Sequence, residues 1–140
     1  MNLDETLLEG LTEEQFAQLQ AAASRVSANA YTPYSGMHVG AAVLTDGGEI
    51  FTGCNVENAS YGLTICAERA AIFAAVSSQG SSMRIRAIAI FCGANIPCSP
   101  CGACRQVIAE FGDSIPVVYG NGQAWERTTS AELLPHGFRM

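Results

Sequence analysis

The stretch CAERAAIFAAVSS (residues 66–78), followed after a short link by RIRAIAIFC (residues 84–92), decides the fold class of this chain. The first segment is rich in alanine and carries Ile72, Phe73 and Val76, a pattern that predicts a mostly buried helix. The second segment alternates isoleucine with alanine, which is typical of a buried β-strand. A buried helix that leads into a buried strand indicates an α/β domain, in which helices cover a sheet.

Upstream of this pair, the sequence predicts one helix and one β-hairpin. Thr12 and Gln15 have the spacing of a capping box, so we expect a helix to begin after Thr12. This helix should end before Thr32, because the residue that precedes a proline is pushed out of the helical region. Residues 39–45 and 49–55 are strand-like, and the Asp-Gly-Gly sequence between them predicts a tight turn.

Downstream of the pair, the pattern of alternating helices and strands continues. Residues 102–111 predict a short helix and residues 115–119 predict a strand. Residues 125–128 favour a final strand, after which Ser130 is expected to cap a short turn of helix. Strands separated by helices favour a largely parallel sheet with helices on both faces and a hairpin at one end. The sequence therefore predicts a three-layer α/β/α domain.

The composition limits the functions that this chain can have. Its 140 residues suffice for one domain. Charged residues make up 14% of the chain, against about 25% in a typical soluble domain. This deficit suggests that another subunit covers part of the surface. The net charge is −6 and the chain contains no lysine, which argues against a nucleic-acid partner, because phosphate contacts need clustered basic side chains.

The chain also gives no sign of a membrane or targeting segment. No apolar run approaches the roughly 18 residues of a membrane span, and a net negative charge makes an acidic membrane surface an unfavourable partner. Residues 1–10 contain three acidic and no basic side chains, which is untypical of a targeting sequence. We therefore expect a cytoplasmic protein.

Three of the six cysteines stand in a pattern typical of a metal site. Cys101 and Cys104 lie three residues apart at the start of a predicted helix, so both sulfurs can face one ion. Cys66 stands where another helix begins, and the helix dipole there favours a thiolate. Three thiolates with an open fourth position are typical of a catalytic zinc. Glu68 would then lie close enough to carry protons beside the metal.

The remaining cysteines have simpler interpretations. Cys54 and Cys92 lie in strand-like segments, so we expect them in the core. Cys98 precedes a predicted ligand by three residues, and we expect it to be a bystander beside the site.

Taken together, the motifs resemble those of the small, homotetrameric, zinc-dependent cytidine deaminases. The Cys-Ala-Glu and Pro-Cys-x-x-Cys sequences match the three-cysteine form of the zinc deaminase signature. The segments that carry the resemblance are AYTPYS (30–35), GCNVEN (53–58), CAER (66–69), PCGACRQV (100–107) and ELLP (132–135). The resemblance covers nearly the whole chain. It implies an α/β/α sandwich with a mixed five-stranded sheet, in which residues 1–140 form a single catalytic domain.

The resemblance implies a role for each residue of the metal motifs. Cys66, Cys101 and Cys104 would hold one zinc ion per subunit, and Glu68 would be the catalytic proton shuttle. The implied reaction is hydrolytic deamination of cytidine and deoxycytidine to uridine and deoxyuridine, with release of ammonia, as in pyrimidine salvage. Water activated by zinc would attack C4 of the base. Glu68 would pass a proton to N3 and later to the departing amine.

Two further residues would support the zinc ligands. Three thiolates leave a zinc centre with a net negative charge, which weakens the acidity of its bound water. Arg69 would restore that acidity by donating hydrogen bonds to the thiolates. The resemblance implies a similar supporting role for Gln106.

The resemblance also implies how a nucleoside is bound. Asn55 and Glu57 would bind the ribose 3′-hydroxyl, since the amide can donate a hydrogen bond to it and the carboxylate can accept one from it. A carboxylate at this place would repel a phosphate, so we expect a free nucleoside as substrate.

Four residues would complete the pocket around the base. The Ala67 N–H and the Ser99 carbonyl are expected to touch it. Met37 stands where the family usually has an aromatic residue that packs on the pyrimidine. Family members are homotetramers with active sites formed between subunits, and Phe138 is the candidate to reach a neighbouring site.

Three other functions stay open at this point. A related deaminase of another aminopyrimidine nucleoside, such as blasticidin S deaminase, would share the chemistry, although the Asn-x-Glu motif favours an ordinary ribose. Polynucleotide editing is disfavoured by the net charge of −6. A non-enzymatic structural zinc or 4Fe–4S module is the third, because four thiols would suffice; they are Cys66, Cys98, Cys101 and Cys104.

Overall fold

The structure, a computed structural model, describes residues 11–95 and 97–140. The acidic segment Met1–Gly10, which is expected not to be a targeting segment, lies outside the described residues. The described elements, in chain order, are α1 (Glu13–Ser27), β1 (Val39–Thr45), β2 (Ile50–Cys54), a 3-10 turn (Tyr61–Leu63), α2 (Ala67–Gln79), β3 (Ile85–Cys92), α3 (Gly102–Glu110), β4 (Pro116–Gly120), β5 (Trp125–Thr129) and α4 (Ser130–Leu133).

The five strands form one mixed sheet in the order β2-β1-β3-β4-β5. Of the four adjacent pairs, β3 with β4 is parallel and the other three are antiparallel. The mixed five-stranded sheet is thus confirmed, whereas the expectation of a largely parallel sheet was wrong. The helical crossovers do connect strands of the same direction, β2 to β3 and β3 to β4, as crossovers must. However, β1 lies between β2 and β3 and runs against both.

Helices cover both faces of the sheet, which confirms the three-layer α/β/α architecture. The helix α1 packs on one face, where Leu19 and Ala23 contact Leu44 and other buried side chains. The helices α2 and α3 pack on the opposite face, where Ile72 and Ile108 join the buried side chains of the strands. Because successive side chains of a strand alternate between the two faces, β1 contributes to both cores.

Glycines on two strands let the helices lie directly on the sheet. A Cβ atom on Gly53 of β2 would come within 2.4 Å of the Ala71 nitrogen in α2. A Cβ atom on Gly40 of β1 would come within 2.0 Å of the Ala23 oxygen in α1. Real Cβ atoms essentially never approach neighbours this closely, so both contacts depend on the missing side chain.

The helix starts show which local predictions were correct. The Gln15 N–H donates to Thr12 Oγ1 at 3.0 Å and the Thr12 N–H donates to Gln15 Oε1 at 3.1 Å, which confirms the capping box. The prediction that Ser130 caps α4 was wrong by one residue, because Thr129 is the N-cap. Ser130 is buried and its hydroxyl instead accepts the Ile115 N–H at 2.8 Å.

Among the described residues, no helix combines the length and the apolar composition that a membrane crossing requires.

Candidate active site

Three cysteine sulfurs meet between the starts of α2 and α3. Cys66 is the N-cap residue of α2, Cys101 is the N-cap residue of α3, and Cys104 lies in the first turn of α3. The three Sγ atoms lie within 4.8 Å of one another. Three soft sulfur donors this close together fit one zinc ion. Within residues 11–95 and 97–140, this is the single such group of histidine, cysteine or acidic side chains.

The environment of these sulfurs favours charge on Cys66. Hydrogen bonding from the Cys104 thiol, aided by Arg69, lowers the pKa of Cys66 to about 5. The Arg69 Nη2 atom donates to Cys66 Sγ at 3.4 Å, and this contact raises the pKa of the guanidinium. The hydrogen bond to Cys66 and burial raise the pKa of Cys104. A thiolate beside an arginine is suited to bind a cation.

Glu68 is a buried carboxyl group close to the three sulfurs. It lies in the first turn of α2, and its side chain is only 4% exposed. Burial raises the pKa of Glu68, and the neighbouring charge on Cys66 adds to the effect. A carboxyl group with a raised pKa can hold a proton at a pH where an exposed glutamate has lost it.

The Asn55–Glu57 segment runs beside the first cysteine. Val56 pairs with Ile65, the residue before Cys66, through two backbone hydrogen bonds of 3.0 Å. The chain that follows the C-terminal end of β2 therefore runs alongside the residue before the first cysteine. This pairing places the predicted ribose-binding residues next to the cysteine cluster.

The side chains of these two residues also organise the preceding loop. The Asn55 amide donates to the Met37 carbonyl at 2.8 Å and accepts the Val39 N–H at 2.9 Å. Glu57 accepts hydrogen bonds from the N–H groups of Tyr34 and Ser35 and from the Ser35 hydroxyl.

These contacts hold Glu57 ionised. The hydrogen bond from the Ser35 hydroxyl is the largest of the influences that lower the pKa of Glu57. No local signal marks Ser35 as a site residue, since a serine in a loop does not reveal a charged partner.

The other predicted site residues differ in their exposure. Ala67 is fully buried at the start of α2, whereas the side chains of Met37 and Phe138 are 45% and 71% exposed. The Gln106 amide donates to the Phe138 carbonyl at 3.2 Å. Gln106 thus lies against the C-terminal segment in this structure, and its contact to a ligand sulfur stays a prediction.

Cys98 contacts Cys92 and lies outside the three-cysteine group. The Cys92 thiol donates to Cys98 Sγ at 3.0 Å, and Cys98 is not a member of the metal-binding group. Burial, together with this contact, raises the pKa of Cys92 to about 11. The structure therefore brings together three thiols, and the arrangement does not support a four-thiol module. Cys92 is buried as expected, but Cys54 is only half-buried because β2 is an edge strand.

The sequence matches a known family over most of the chain. The model of the cytidine and deoxycytidylate deaminase zinc-binding region matches residues 13–120. The chain belongs to the cytidine and deoxycytidylate deaminase family. Members of this family bind zinc. Among the residues that the structure describes, the cluster of three thiols is the group that suits that ion.

Relatives of the deaminase family resemble this chain in both sequence and structure. A cytidine deaminase from Sporosarcina psychrophila is 48% identical over 123 residues, which cover 86% of this chain and 89% of the relative. A crystal structure of cytidine deaminase from Burkholderia pseudomallei has a TM-score of 0.83 at 44% identity, and the match covers 91% of this chain and all of that one. A blasticidin-S deaminase from Bacillus cereus is 35% identical over 105 residues, which cover 70% of this chain and 74% of the relative.

Proposed function

We propose that this protein catalyses the zinc-dependent hydrolytic deamination of cytidine and deoxycytidine, with release of ammonia. The observation that carries this proposal is the buried carboxyl group of Glu68 beside three clustered thiols. The similarity to named cytidine deaminases supports the same reaction. Cysteine clusters that serve only as structural sites have no need of a buried acid at their edge.

In this proposal, Cys66, Cys101 and Cys104 hold one zinc ion per subunit. The ion supplies the Lewis acidity that activates water for attack on the pyrimidine ring. Arg69 reduces the negative charge of the three thiolates through its hydrogen bond to Cys66.

Glu68 acts as the general acid and base. It takes a proton from the attacking water and delivers it to N3 of the base. It then takes the second proton from the hydroxyl group added at C4 and passes it to the amine, which departs as ammonia as the C4 carbonyl forms. Its burial supports this role, because a shielded carboxyl group can exchange protons with the substrate instead of with solvent. The products of these steps are uridine or deoxyuridine and ammonia.

The nucleoside lies along the Asn55–Glu57 segment and the start of α2. Asn55 and Glu57 bind the ribose 3′-hydroxyl, and the ionised state of Glu57 disfavours a phosphorylated sugar. The base contacts the Ala67 N–H and the Ser99 carbonyl, and Met37 lies against the ring through its flexible thioether. The substrate is therefore a free nucleoside.

The protein assembles as a homotetramer with active sites between subunits. Large apolar side chains are exposed near the nucleoside-binding segment, and a monomer rarely leaves so many uncovered; they are Tyr31, Tyr34, Val56, Tyr61 and Leu63. Phe138 reaches a neighbouring active site in this arrangement. Light scattering of the purified protein tests the assembly, and a monomer at assay concentration would contradict it.

Residues 1–140 act as one catalytic domain that serves pyrimidine salvage in the cytoplasm. The net charge of −6 and the absence of lysine support a small-molecule substrate over nucleic acid. A single-strand binding assay across salt concentrations tests this part of the proposal.

Ammonia release from cytidine, measured together with zinc content, tests the proposed function. We expect turnover of cytidine and deoxycytidine and one zinc ion per chain. Blasticidin S serves as the competing substrate, because a blasticidin-S deaminase is also among the relatives. Turnover of blasticidin S without ammonia from cytidine or deoxycytidine would refute the assignment.

A further inference from the structure

The three clustered cysteines are not held in place by the same means. Cys104 is buried in the core and Cys66 is half-buried, but Cys101 is exposed. Residues 97–100, which lead into Cys101, belong to no helix or strand. Pro100 is buried, but Ser99 and Cys101 are exposed. Packing alone therefore does not fix this part of the chain, and hydrogen bonds contribute to holding it.

Arg105 supplies those hydrogen bonds from one turn further along α3. Its Nε atom donates to the Pro100 carbonyl at 2.7 Å, and its Nη2 atom donates to Ser99 Oγ at 3.1 Å. Its Nη1 atom donates to the Leu133 carbonyl at 3.1 Å, in α4. All three guanidinium nitrogens are thus engaged, two of them with the residues that immediately precede Cys101.

We propose that Arg105 is a positioning residue for the deamination reaction, because it holds Ser99 and Pro100 and thereby positions the Cys101 sulfur. The planar guanidinium has donors in fixed directions, so it can hold two neighbouring acceptors at once. We call the three hydrogen bonds of Arg105 the Arg105 clamp. The bond to the Leu133 carbonyl ties the clamp to a separate helix, which prevents the loop and the arginine from moving together. The inference rests on the proposed zinc site.

The same clamp orients the Ser99 carbonyl, which the proposed function places on the base. Arg105 touches neither the sulfur cluster nor the nucleoside in this scheme, so its effect reaches the reaction through Ser99 and Cys101. Loss of the clamp should therefore weaken zinc binding and raise KM, while Glu68 remains able to move protons.

The experiment measures zinc affinity, by competition with a chelator, and steady-state kinetics. It compares three single variants, Arg105→Ala, Arg105→Lys and Ser99→Ala, with the double variant that combines Arg105→Ala and Ser99→Ala. We expect Arg105→Ala to weaken zinc affinity by about tenfold or more, in the range seen for residues that orient metal ligands. Arg105→Lys should recover little, because one ammonium group cannot reproduce the fork. Ser99→Ala alone should weaken zinc affinity by a smaller factor.

Arg84→Ala is the matched control. Arg84 also donates to main-chain carbonyls, those of Ser81 and Met83. However, it lies at the opposite end of β3 from Cys92, and eight strand residues span about 25 Å. The zinc affinity of Arg84→Ala should equal that of the wild type.

The double variant decides the outcome. If Arg105 acts through Ser99, the double variant should bind zinc no more weakly than Arg105→Ala alone. Additive losses, or wild-type affinity in Arg105→Lys, would overturn the inference. If Arg105→Ala fails to fold, wild-type zinc affinity and KM in Ser99→Ala would overturn it equally. A wild-type protein that binds no zinc would instead contradict the proposed function, so the two failures can be told apart.

Discussion

The close contact between Gly53 and α2 offers a direct test of how the fold positions the active site. We predict that Gly53→Ala displaces the start of α2, which carries Cys66, Ala67 and Glu68. The added Cβ atom would lie 2.4 Å from the Ala71 nitrogen and 2.8 Å from the Ala67 oxygen. Ordinary contact begins at 3.4 Å, so the helix backbone must move by about 1 Å to accept the methyl group.

That displacement has two measurable consequences. Overpacking of this kind costs about 1–3 kcal/mol of stability, which lowers the temperature of thermal unfolding. A misplacement of about 1 Å at a catalytic group costs about 100-fold in rate, so kcat/KM for cytidine should fall by that order at a temperature where the variant is folded. Steady-state ammonia release and thermal unfolding measure the two effects.

Two other glycine variants serve as controls. In Gly40→Ala, the new Cβ atom meets α1 at 2.0 Å on the opposite face of the sheet. This variant should lose stability but keep most of its activity per folded molecule. In Gly47→Ala, the nearest atoms lie 3.8 Å and 3.9 Å from the new atom, which is ordinary contact, and both properties should stay unchanged. A Gly53→Ala enzyme with wild-type kcat/KM would show that the position of α2 does not control the chemistry.

Three further predictions concern individual side chains. Glu68→Gln should retain zinc in metal analysis but lose about 100- to 10,000-fold in kcat, the usual contribution of a general acid and base; a fully active variant would exclude the proton-shuttle role. Cys98→Ser should keep its zinc, because Cys98 contacts Cys92, whereas Cys101→Ser should lose it; equal zinc content in the two variants would contradict the assignment of ligands. Ser35→Ala should raise the pKa of Glu57 in a carboxyl-carbon NMR titration, because the Ser35 hydroxyl is the main group that lowers it. Since the folded-state pKa of Glu57 lies below its unfolded value, the stability from this contact is present above about pH 4.5 and is lost as the pH falls through the folded-state pKa. The stability difference between the wild type and Ser35→Ala should therefore shrink in acid; a difference that is constant with pH would count against it.

Local sequence signals predicted the elements well, because each depends on neighbours within a few residues. The capping box of α1 and the tight turn between β1 and β2 follow from side chains and backbone angles close in sequence. The sheet order could not be read in this way. A crossover helix fixes the relative direction of the two strands that it joins, but it leaves open which strand lies between them.

The sequence by itself determined the kinds of groups in the candidate site: three thiols, a carboxyl group and an arginine at spacings that suit a metal. Such spacings are local, because residues three apart share a helix face wherever the helix lies. Only the tertiary structure decided that Cys66 meets Cys101 across 35 residues, at 3.8 Å, and that Cys98 pairs with Cys92 instead of joining them. It also decided that Arg105 holds the loop before Cys101. These contacts join separate elements, and their distances are set by how α2 and α3 pack on the sheet, which no local pattern encodes.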